Sequence, residues 1–286
     1  MKIRSPICTL VGHVDHGKSS ILDYISSTNI TSHEAGGITQ KISSVTLSIS
    51  RIKKITGQLI NKLNIEITIP GILFIDTPGH AAFTSLRKRG GNLADIAILV
   101  IDIKEGIRPQ TLESIEILRS YRTPFIIALN KIDNLQGWRS DNEIPLIENI
   151  KKQSEITIKE IETRLYNLVG KLSELNLKSE RFDRVEDYTK QIAIIPCSAK
   201  TGEGIPELLM VMTGLAQKYL ENSLKIEVSG QAKGTILEVK EEKGMGKIID
   251  VIIYDGNLKQ GDRIAIATLD EPIETKIRAI FVLEKG

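Results

Sequence analysis

A glycine-rich loop near the N-terminus constrains the fold of this chain more than any other stretch. Residues 12–19 read GHVDHGKS, in which four residues separate Gly12 from Gly17 and a lysine and a serine follow directly. The apolar residues 3–11 before the loop predict a buried strand, and residues 20–26 after it predict the first turns of a helix. The phosphate-binding loop pattern requires this order of strand, loop and helix. We therefore expect an α/β fold organised around an anion-binding loop.

The chemistry of this loop predicts a bound nucleoside triphosphate. Successive backbone N–H groups and the positive end of the helix dipole converge on an anion, and Lys18 adds a full positive charge. The Ser19 hydroxyl is expected to coordinate the magnesium ion that accompanies a triphosphate. The predicted nucleotide contacts in and directly after the loop are Asp15, His16, Gly17, Lys18, Ser19 and Ser20.

Composition narrows the class of protein and its partners. The 286 residues are 41% hydrophobic and 26% charged, which is typical of a soluble globular protein. With a formal net charge of +2, no overall field favours nucleic acid or a membrane surface. The longest apolar run, residues 96–101, is far shorter than the ~20 residues that span a bilayer, and a signal-peptide pattern is absent. We expect a cytoplasmic protein without membrane contact, in which Cys8 and Cys197 are buried, reduced thiols.

Apolar runs that alternate with helical stretches predict the α/β class, with a mostly parallel sheet and helices on both faces. The predicted strands are residues 3–11, 72–75, 96–101, 125–129 and 192–196. Residues 155–175 and 206–220 predict helices, and the apolar stripe of the first favours packing rather than a partner site. Residues 28–71 form a long connection of the kind that is typically functional, and its later part alternates like an edge strand and a short helix.

The pattern changes near residue 223. Residues 1–222 are expected to form the nucleotide-binding domain. Residues 234–240, 247–254, 263–267 and 274–282 predict strands, and the glycine-containing turns between them are typical of hairpins. We expect residues 223–286 to begin a β-barrel domain without its closing strand, as in a fragment of a longer protein.

Three further residues suit the γ-phosphate and its magnesium ion. Residues 76–80 read DTPGH and follow a predicted strand, where ligands bind in open α/β sheets. Asp76 is expected to reach magnesium through a water molecule, and the Gly79 N–H is expected to reach a γ-phosphate oxygen. Thr39, in the long connection, is expected to offer magnesium a second hydroxyl while the γ-phosphate is present.

Two more motifs predict that the base is guanine. Residues 130–133 read NKID and residues 198–200 read SAK, and each follows a predicted strand. The Asp133 carboxylate can accept hydrogen bonds from the N1–H and N2 amino groups of guanine, whereas adenine has an acceptor at N1 and nothing at C2. An ATPase interpretation therefore fails at Asp133. The Ala199 N–H is expected to meet guanine O6. The predicted base contacts are Asn130, Lys131, Asp133, Ser198, Ala199 and Lys200.

These motifs resemble those of the translational GTPases. GHVDHGK at residues 12–18, EAGGITQ at 34–40 and DTPGH at 76–80 resemble in particular the initiation factor five B family, the archaeal and eukaryotic form of bacterial initiation factor two. The helical insert after Asp133 matches this family and departs from elongation factor Tu. Further segments that carry the resemblance are residues 130–133, 137–138, 179–185, 198–206 and 233–241.

The resemblance implies a ribosome-stimulated GTPase that promotes ribosomal subunit joining and initiator tRNA placement. It implies GTP or GDP and Mg²⁺ as ligands, a monomer, and contact with the GTPase centre of the large ribosomal subunit. It assigns to His80 the positioning of the attacking water, with Val14 and Ile38 as an apolar gate, and to Asp15 a monovalent cation. Ordinary packing is the alternative for the two gate residues. Family members have two more domains after the barrel, so the part expected to contact initiator tRNA is missing.

Two other functions remain open on the sequence. One is a tRNA carrier resembling elongation factor Tu or the γ subunit of the other initiation GTPase. That γ subunit usually carries a cysteine-rich zinc insert, whereas this chain has two distant cysteines. The other is a nucleotide sensor that acts as an interaction module without hydrolysis.

Overall fold

The computed structural model describes residues 2–26, 43–76, 94–226, 230–242, 244, 246–268 and 270–281. Within these ranges the chain forms a seven-stranded sheet with helices, followed by small antiparallel sheets. The predicted α/β class is confirmed. Among the helices of the described ranges, none is both long and apolar enough to cross a membrane.

The elements are numbered in chain order within the described residues. The strands are β1 (Lys2–Ile3), β2 (Ile7–Gly12), β3 (Ser43–Ser48), β4 (Gly71–Asp76), β5 (Ile96–Asp102), β6 (Phe125–Asn130), β7 (Ser179–Arg181), β8 (Ile192–Pro196), β9 (Lys225–Ile226), β10 (Lys233–Glu242), β11 (Gly246–Asp255), β12 (Arg263–Ile266) and β13 (Ile273–Lys276). The α-helices are α1 (Lys18–Ser26), α2 (Ile49–Thr56), α3 (Pro109–Ser120), α4 (Leu146–Lys152), α5 (Glu155–Glu174) and α6 (Ile205–Leu215). Short 3₁₀ turns lie at Gly57–Leu63, Ile132–Asn134 and Glu221–Leu224, and a wider π turn lies at Ala216–Leu220.

The order of strands in the main sheet brings three of the predicted site motifs to one edge. The order is β3-β4-β2-β5-β6-β8-β7, in which β3 pairs antiparallel with β4 and the other neighbours pair parallel. Parallel strands share a direction, so the carboxyl ends of β2, β4, β5, β6 and β8 lie along the same edge. The glycine loop follows β2, and the two base-reading motifs follow β6 and β8. The predicted edge strand and short helix of the long connection are confirmed as β3 and α2.

The core lies on both faces of this sheet. Every residue of β5 is buried, as expected for a central parallel strand with cover on each side. The predicted apolar stripe of α5 is confirmed. Its fully packed members are Ile161, Leu165, Leu168 and Leu172. Cys8 and Cys197 are free and buried, and burial raises the pKa of both thiols.

The predicted strand over residues 3–11 is wrong in its first half. The β1 segment pairs antiparallel with β9, and the strand of the main sheet begins at Ile7. Between them the Arg4 guanidinium donates to both carboxylate oxygens of Asp95, at 2.6 and 2.7 Å. Asp95 Oδ2 also accepts a hydrogen bond from the Ile7 N–H at 2.8 Å. This ion pair holds the chain where it passes from one sheet to the next.

Two other predicted limits are also corrected. The strand predicted over residues 274–282 ends at Lys276, which pairs with Arg263 at the start of β12. Residue 282 lies outside the described residues. The helix predicted over residues 206–220 is α-helical to Leu215 and continues as the π turn. In that turn Gln217 Oε1 accepts hydrogen bonds from the backbone N–H groups of residues 68 and 69, at 2.7 and 3.1 Å.

The small sheets after β9 agree with the predicted hairpins. The strands β10 and β11 pair antiparallel, as do β12 and β13. Ile252 of β11 packs with Ile7 and Ile75 of the main sheet. These sheets are consistent with a partial barrel, and the boundary near residue 223 stays a prediction.

The α5 stripe predicts a difference in stability between two apolar positions of one helix. Leu165→Ala should lower the free energy of unfolding by about 3 kcal/mol, because a side chain that is 0% exposed leaves a cavity. Ile156→Ala, at a position that is 81% exposed, should change it by less than about 0.5 kcal/mol. Urea unfolding followed by circular dichroism measures both, and equal losses would contradict the assignment of the buried face.

Candidate functional site

The glycine loop connects β2 to α1 in the conformation that its glycines predict. Gly12 and Gly17 have φ angles of +141° and +90°, in the region that side chains disfavour. A Cβ atom on Gly12 would strike Val100 O, and a Cβ atom on Gly17 would strike Asn130 Nδ2. Glycine is therefore needed at both positions for the loop to approach β5 and β6.

Lys18 is the first residue of α1 and lies over the glycine loop. Its Nζ donates to Gly12 O at 3.1 Å and to His13 O at 2.7 Å. The first-turn N–H groups of α1 open toward the loop, which is the arrangement that binds anions at a helix N-terminus. Ser20 is exposed, as is Asp15, which has a φ angle of +64°.

The His16 side chain points into the protein, so it offers a nucleotide only its backbone. It is 1% exposed, with Nδ1 3.3 Å from Val100 O and Nε2 3.4 Å from Glu105 Oε2. Burial lowers the pKa of His16, although both acceptors favour the charged form. The ring thus fastens the loop to the end of β5 and to the segment that follows it.

A second contact joins the loop to the same part of the chain. The Val14 N–H donates to Gln110 Oε1 of α3 at 3.1 Å, and the Val14 side chain is half-buried. The other members of the predicted catalytic and switch groups are Ile38, Thr39, Gly79 and His80, and these lie outside the described residues. Asp76 ends β4 at the predicted edge of the sheet, and its side chain is outside the description.

Asn130 bridges the glycine loop to the loop after β8. Its side chain is 1% exposed, and Nδ2 donates to His16 O at 2.9 Å. Its Oδ1 accepts from the Ala199 N–H at 3.0 Å. This is the N–H group that the sequence predicts to bind guanine O6. Asn130 therefore holds the phosphate-binding and base-binding parts of the predicted site at a set separation.

Asp133 and Ser198 meet beside this bridge. The Ser198 hydroxyl donates to Asp133 Oδ1 at 2.7 Å and accepts from the N–H groups of Lys200 and Thr201, at 3.2 and 3.1 Å. Asp133 is half-buried, whereas Ser198 is 0% exposed. The structure thus brings the NKID and SAK motifs together, although 65 positions separate Asp133 from Ser198.

Lys131 is held by a carboxylate that sequence reasoning did not identify. Its Nζ lies 3.0 Å from Asp102 Oδ2, and Asp102 Oδ1 accepts from the Lys104 N–H at 2.7 Å. Burial opposes the ionisation of Asp102, yet these two partners lower its pKa overall. Asp102 is the last residue of β5, and Glu105 and Gln110 follow that strand. The position of Asp102 at the carboxyl end of a buried strand was the available signal.

Comparison with known proteins supports the same domain type. The family described as "Elongation factor Tu GTP binding domain" matches residues 3–218. The "Probable translation initiation factor IF-2" of Thermococcus sibiricus is 57% identical over 280 residues, which are 98% of this chain and 47% of that protein. The protein of the same name in Methanopyrus kandleri is 55% identical over 279 residues, again 98% and 47%.

A solved structure agrees with these relatives. The crystal structure of GDP-bound aIF5B from Aeropyrum pernix has a TM-score of 0.87 and 48% identity, over 97% of this chain and 46% of that chain. The chain spans about half the length of these relatives. The family match extends from the strand before the glycine loop to the turn after α6, and so includes every motif of the predicted site. The chain belongs to the family of translational GTPases that carry the elongation factor Tu GTP-binding domain.

Proposed function

We propose that this chain binds GTP and GDP and hydrolyses GTP as part of a translation initiation factor. The observation that carries the proposal is the junction of Asp133, Ser198, Ala199 and Asn130 at the carboxyl edge of the sheet. There a carboxylate is available for the N1–H and N2 amino groups of guanine, and the Ala199 N–H, which donates to Asn130 Oδ1 in this structure, would turn to O6 when the base binds. The names of the relatives favour initiation over the tRNA-carrier alternative.

The proposed phosphate site consists of residues 15–20 at the start of α1. Mg²⁺ fits this chain, because hydroxyl and carboxylate oxygens are ligands that it prefers. Leu10 of β2 pairs with Asp76 of β4, so the Asp76 backbone lies beside the strand that leads to Lys18 and Ser19. We assign Ser19, Thr39 and, through water, Asp76 to this ion, which would neutralise charge on the β- and γ-phosphates.

The proposed hydrolytic step depends on a water held by His80. A neutral imidazole can orient water without acting as a strong base. Val14 and Ile38 would restrict the approach of His80 until a ribosome rearranges them, which keeps hydrolysis by the free protein slow. The Gly79 N–H and Thr39 would respond to the γ-phosphate, so loss of that phosphate would release the chain around each of these two residues. Asp15 would hold a monovalent cation beside the phosphates.

The proposed partners rest on the resemblance of the motifs, and the names of the relatives as initiation factors support them. We propose that the protein acts in the cytoplasm as a monomer at the GTPase centre of the large ribosomal subunit. Initiator tRNA would be contacted by domains that follow the barrel, because the relatives are about twice as long as this chain. The domain boundary near residue 223 belongs to this proposal.

Base recognition by Asp133 predicts a change in nucleotide preference. Asp133→Asn should weaken GTP binding by about tenfold or more, since a charge-assisted hydrogen bond contributes about 1.5–3 kcal/mol. It should also favour xanthosine triphosphate, because an amide can donate to the C2 carbonyl oxygen of xanthine. Competition binding with a fluorescent GDP measures both. Asp141→Asn is the control, because it neutralises a partly exposed carboxylate in the segment after the NKID motif. It should leave the preference for GTP over xanthosine triphosphate unchanged. Unchanged preference in Asp133→Asn would exclude this role.

The assignment of His80 predicts a loss of ribosome-stimulated hydrolysis. His80→Ala should slow phosphate release by about 100-fold in the presence of large ribosomal subunits, the usual range for loss of a proton-handling or water-orienting group. GTP affinity should stay within about twofold, because the imidazole is assigned to the water and not to the nucleotide. Phosphate release by full-length protein, with and without purified large subunits, is the measurement. His33→Ala is the control. Equal turnover with and without subunits in the unsubstituted protein would contradict ribosome dependence.

A further inference from the structure

Glu203 is a buried carboxylate in the loop between β8 and α6 that the predicted site does not include. Its side chain is 3% exposed. Oε2 accepts from Trp138 Nε1 at 3.1 Å and from Thr201 Oγ1 at 2.7 Å, whereas Oε1 accepts from the Asp141 N–H at 3.0 Å and from Asn149 Nδ2. A carboxylate has about four acceptor positions, so these donors occupy all of them.

Three of the four donors belong to the helical insert between β6 and β7. Trp138 and Asp141 lie in the segment after the NKID motif, and Asn149 lies in α4. Gln153 Nε2 donates to Asn149 Oδ1 at 2.7 Å, which orients the Asn149 amide so that its NH₂ group faces Glu203. A separate bond, from Asn142 Nδ2 to Thr201 O at 3.1 Å, joins the same two segments. The insert is therefore attached to the loop chiefly at Glu203.

The same residue closes the turn that carries the SAK motif. The Glu203 carbonyl accepts from the Ser198 N–H at 2.9 Å, and Thr201, a donor to the carboxylate, also donates its N–H to Ser198 Oγ. That hydroxyl in turn donates to Asp133. Displacement of Glu203 would thus move the Ser198 hydroxyl and the neighbouring Ala199 N–H relative to the base.

We propose that Glu203 is a positioning residue for guanine recognition. By binding the insert and the SAK turn at once, it sets the geometry in which Asp133 and Ala199 meet the base. This inference rests on the proposed guanine site. A purely structural Glu203 would affect stability and leave discrimination between bases intact.

Glu207 offers a matched control within the same region. It is also 3% exposed, and its Oε1 accepts from the Leu146 N–H at the start of α4, at 2.7 Å. Burial raises the pKa of Glu207. Because Glu207 lies in α6, its hydrogen bond joins the insert to that helix and not to the SAK turn. A glutamine here retains the accepting oxygen, so Glu207→Gln preserves the hydrogen bond.

The test compares Glu203→Gln with Glu207→Gln in the whole chain. Each oxygen of the Glu203 carboxylate accepts from two donors. In Glu203→Gln one of these oxygens becomes an NH₂ group, so two of the four donors lose their acceptor whichever way the amide is turned. We expect GDP to bind Glu203→Gln about tenfold more weakly, with a smaller ratio of GDP to inosine diphosphate affinity, because inosine lacks the N2 amino group that Asp133 reads. Glu207→Gln should keep both quantities within about twofold. Fluorescent GDP displaced by each nucleotide gives the affinities.

A second variant keeps the test decisive if Glu203→Gln does not fold. Trp138→Phe removes the indole N–H donor, keeps a smaller aromatic ring at this position and leaves the Glu203 carboxylate in place. It should lower the ratio of GDP to inosine diphosphate affinity by about threefold, for one lost hydrogen bond. An unchanged ratio in the folded variant, or equal losses in both glutamine variants, would overturn the positioning role. If Asp133→Asn also leaves the GDP to inosine diphosphate ratio unchanged, the guanine site itself is wrong. If the ratio changes in Asp133→Asn but not in the Glu203 or Trp138 variants, the guanine site stands and only the inference about Glu203 is overturned.

Discussion

The side chain of Asn130 is the contact on which the arrangement of the site depends. It occupies the carboxyl end of β6, between the glycine loop after β2 and the turn after β8, and it binds both through a single buried amide. A buried amide that lacks either partner costs about 1–3 kcal/mol, so both loops are held in place together. Gly17 must lack a Cβ atom because this amide lies against it. The separation between the glycine loop and the turn after β8 is thus set by one residue and the strand order beneath it.

Around this contact, the end of β5 and the segment that follows it support the glycine loop from the other side. Val100 O and Glu105 hold the ring of His16, Gln110 holds the Val14 N–H, and Asp102 holds Lys131. Side chains from one segment therefore reach both the phosphate-binding loop and the NKID motif. Glu203 supports the SAK turn in a similar way, because its carboxylate accepts hydrogen bonds from three residues of the insert. Each ligand-binding loop is short, and each is held by buried hydrogen bonds to a neighbouring part of the chain.

Much of the fold and of the candidate site was predictable, for reasons that differ between elements. The strands β4, β5, β6 and β8 are continuous apolar runs, which is the pattern of strands buried on both faces. The division of residues 3–11 was missed because Ile3 pairs with Lys225, more than two hundred positions away, and periodicity does not encode such a partner. The change from α-helix to π turn after Leu215 was missed because Gln217 bonds to the backbone of residues 68 and 69.

The glycine loop and Asp133 could be proposed as phosphate-binding and base-binding groups from contiguous residues, because those two tasks need particular groups at short, set spacings. Their assignment to one ligand, and the domain type around them, followed from the order of the motifs alone. The supporting contacts of Asn130, Asp102 and Glu203 required the folded chain. Each joins residues that are distant in sequence, and their meeting depends on which strands become neighbours and how the insert packs. Those are outcomes of long-range core packing, which no local pattern of residues specifies.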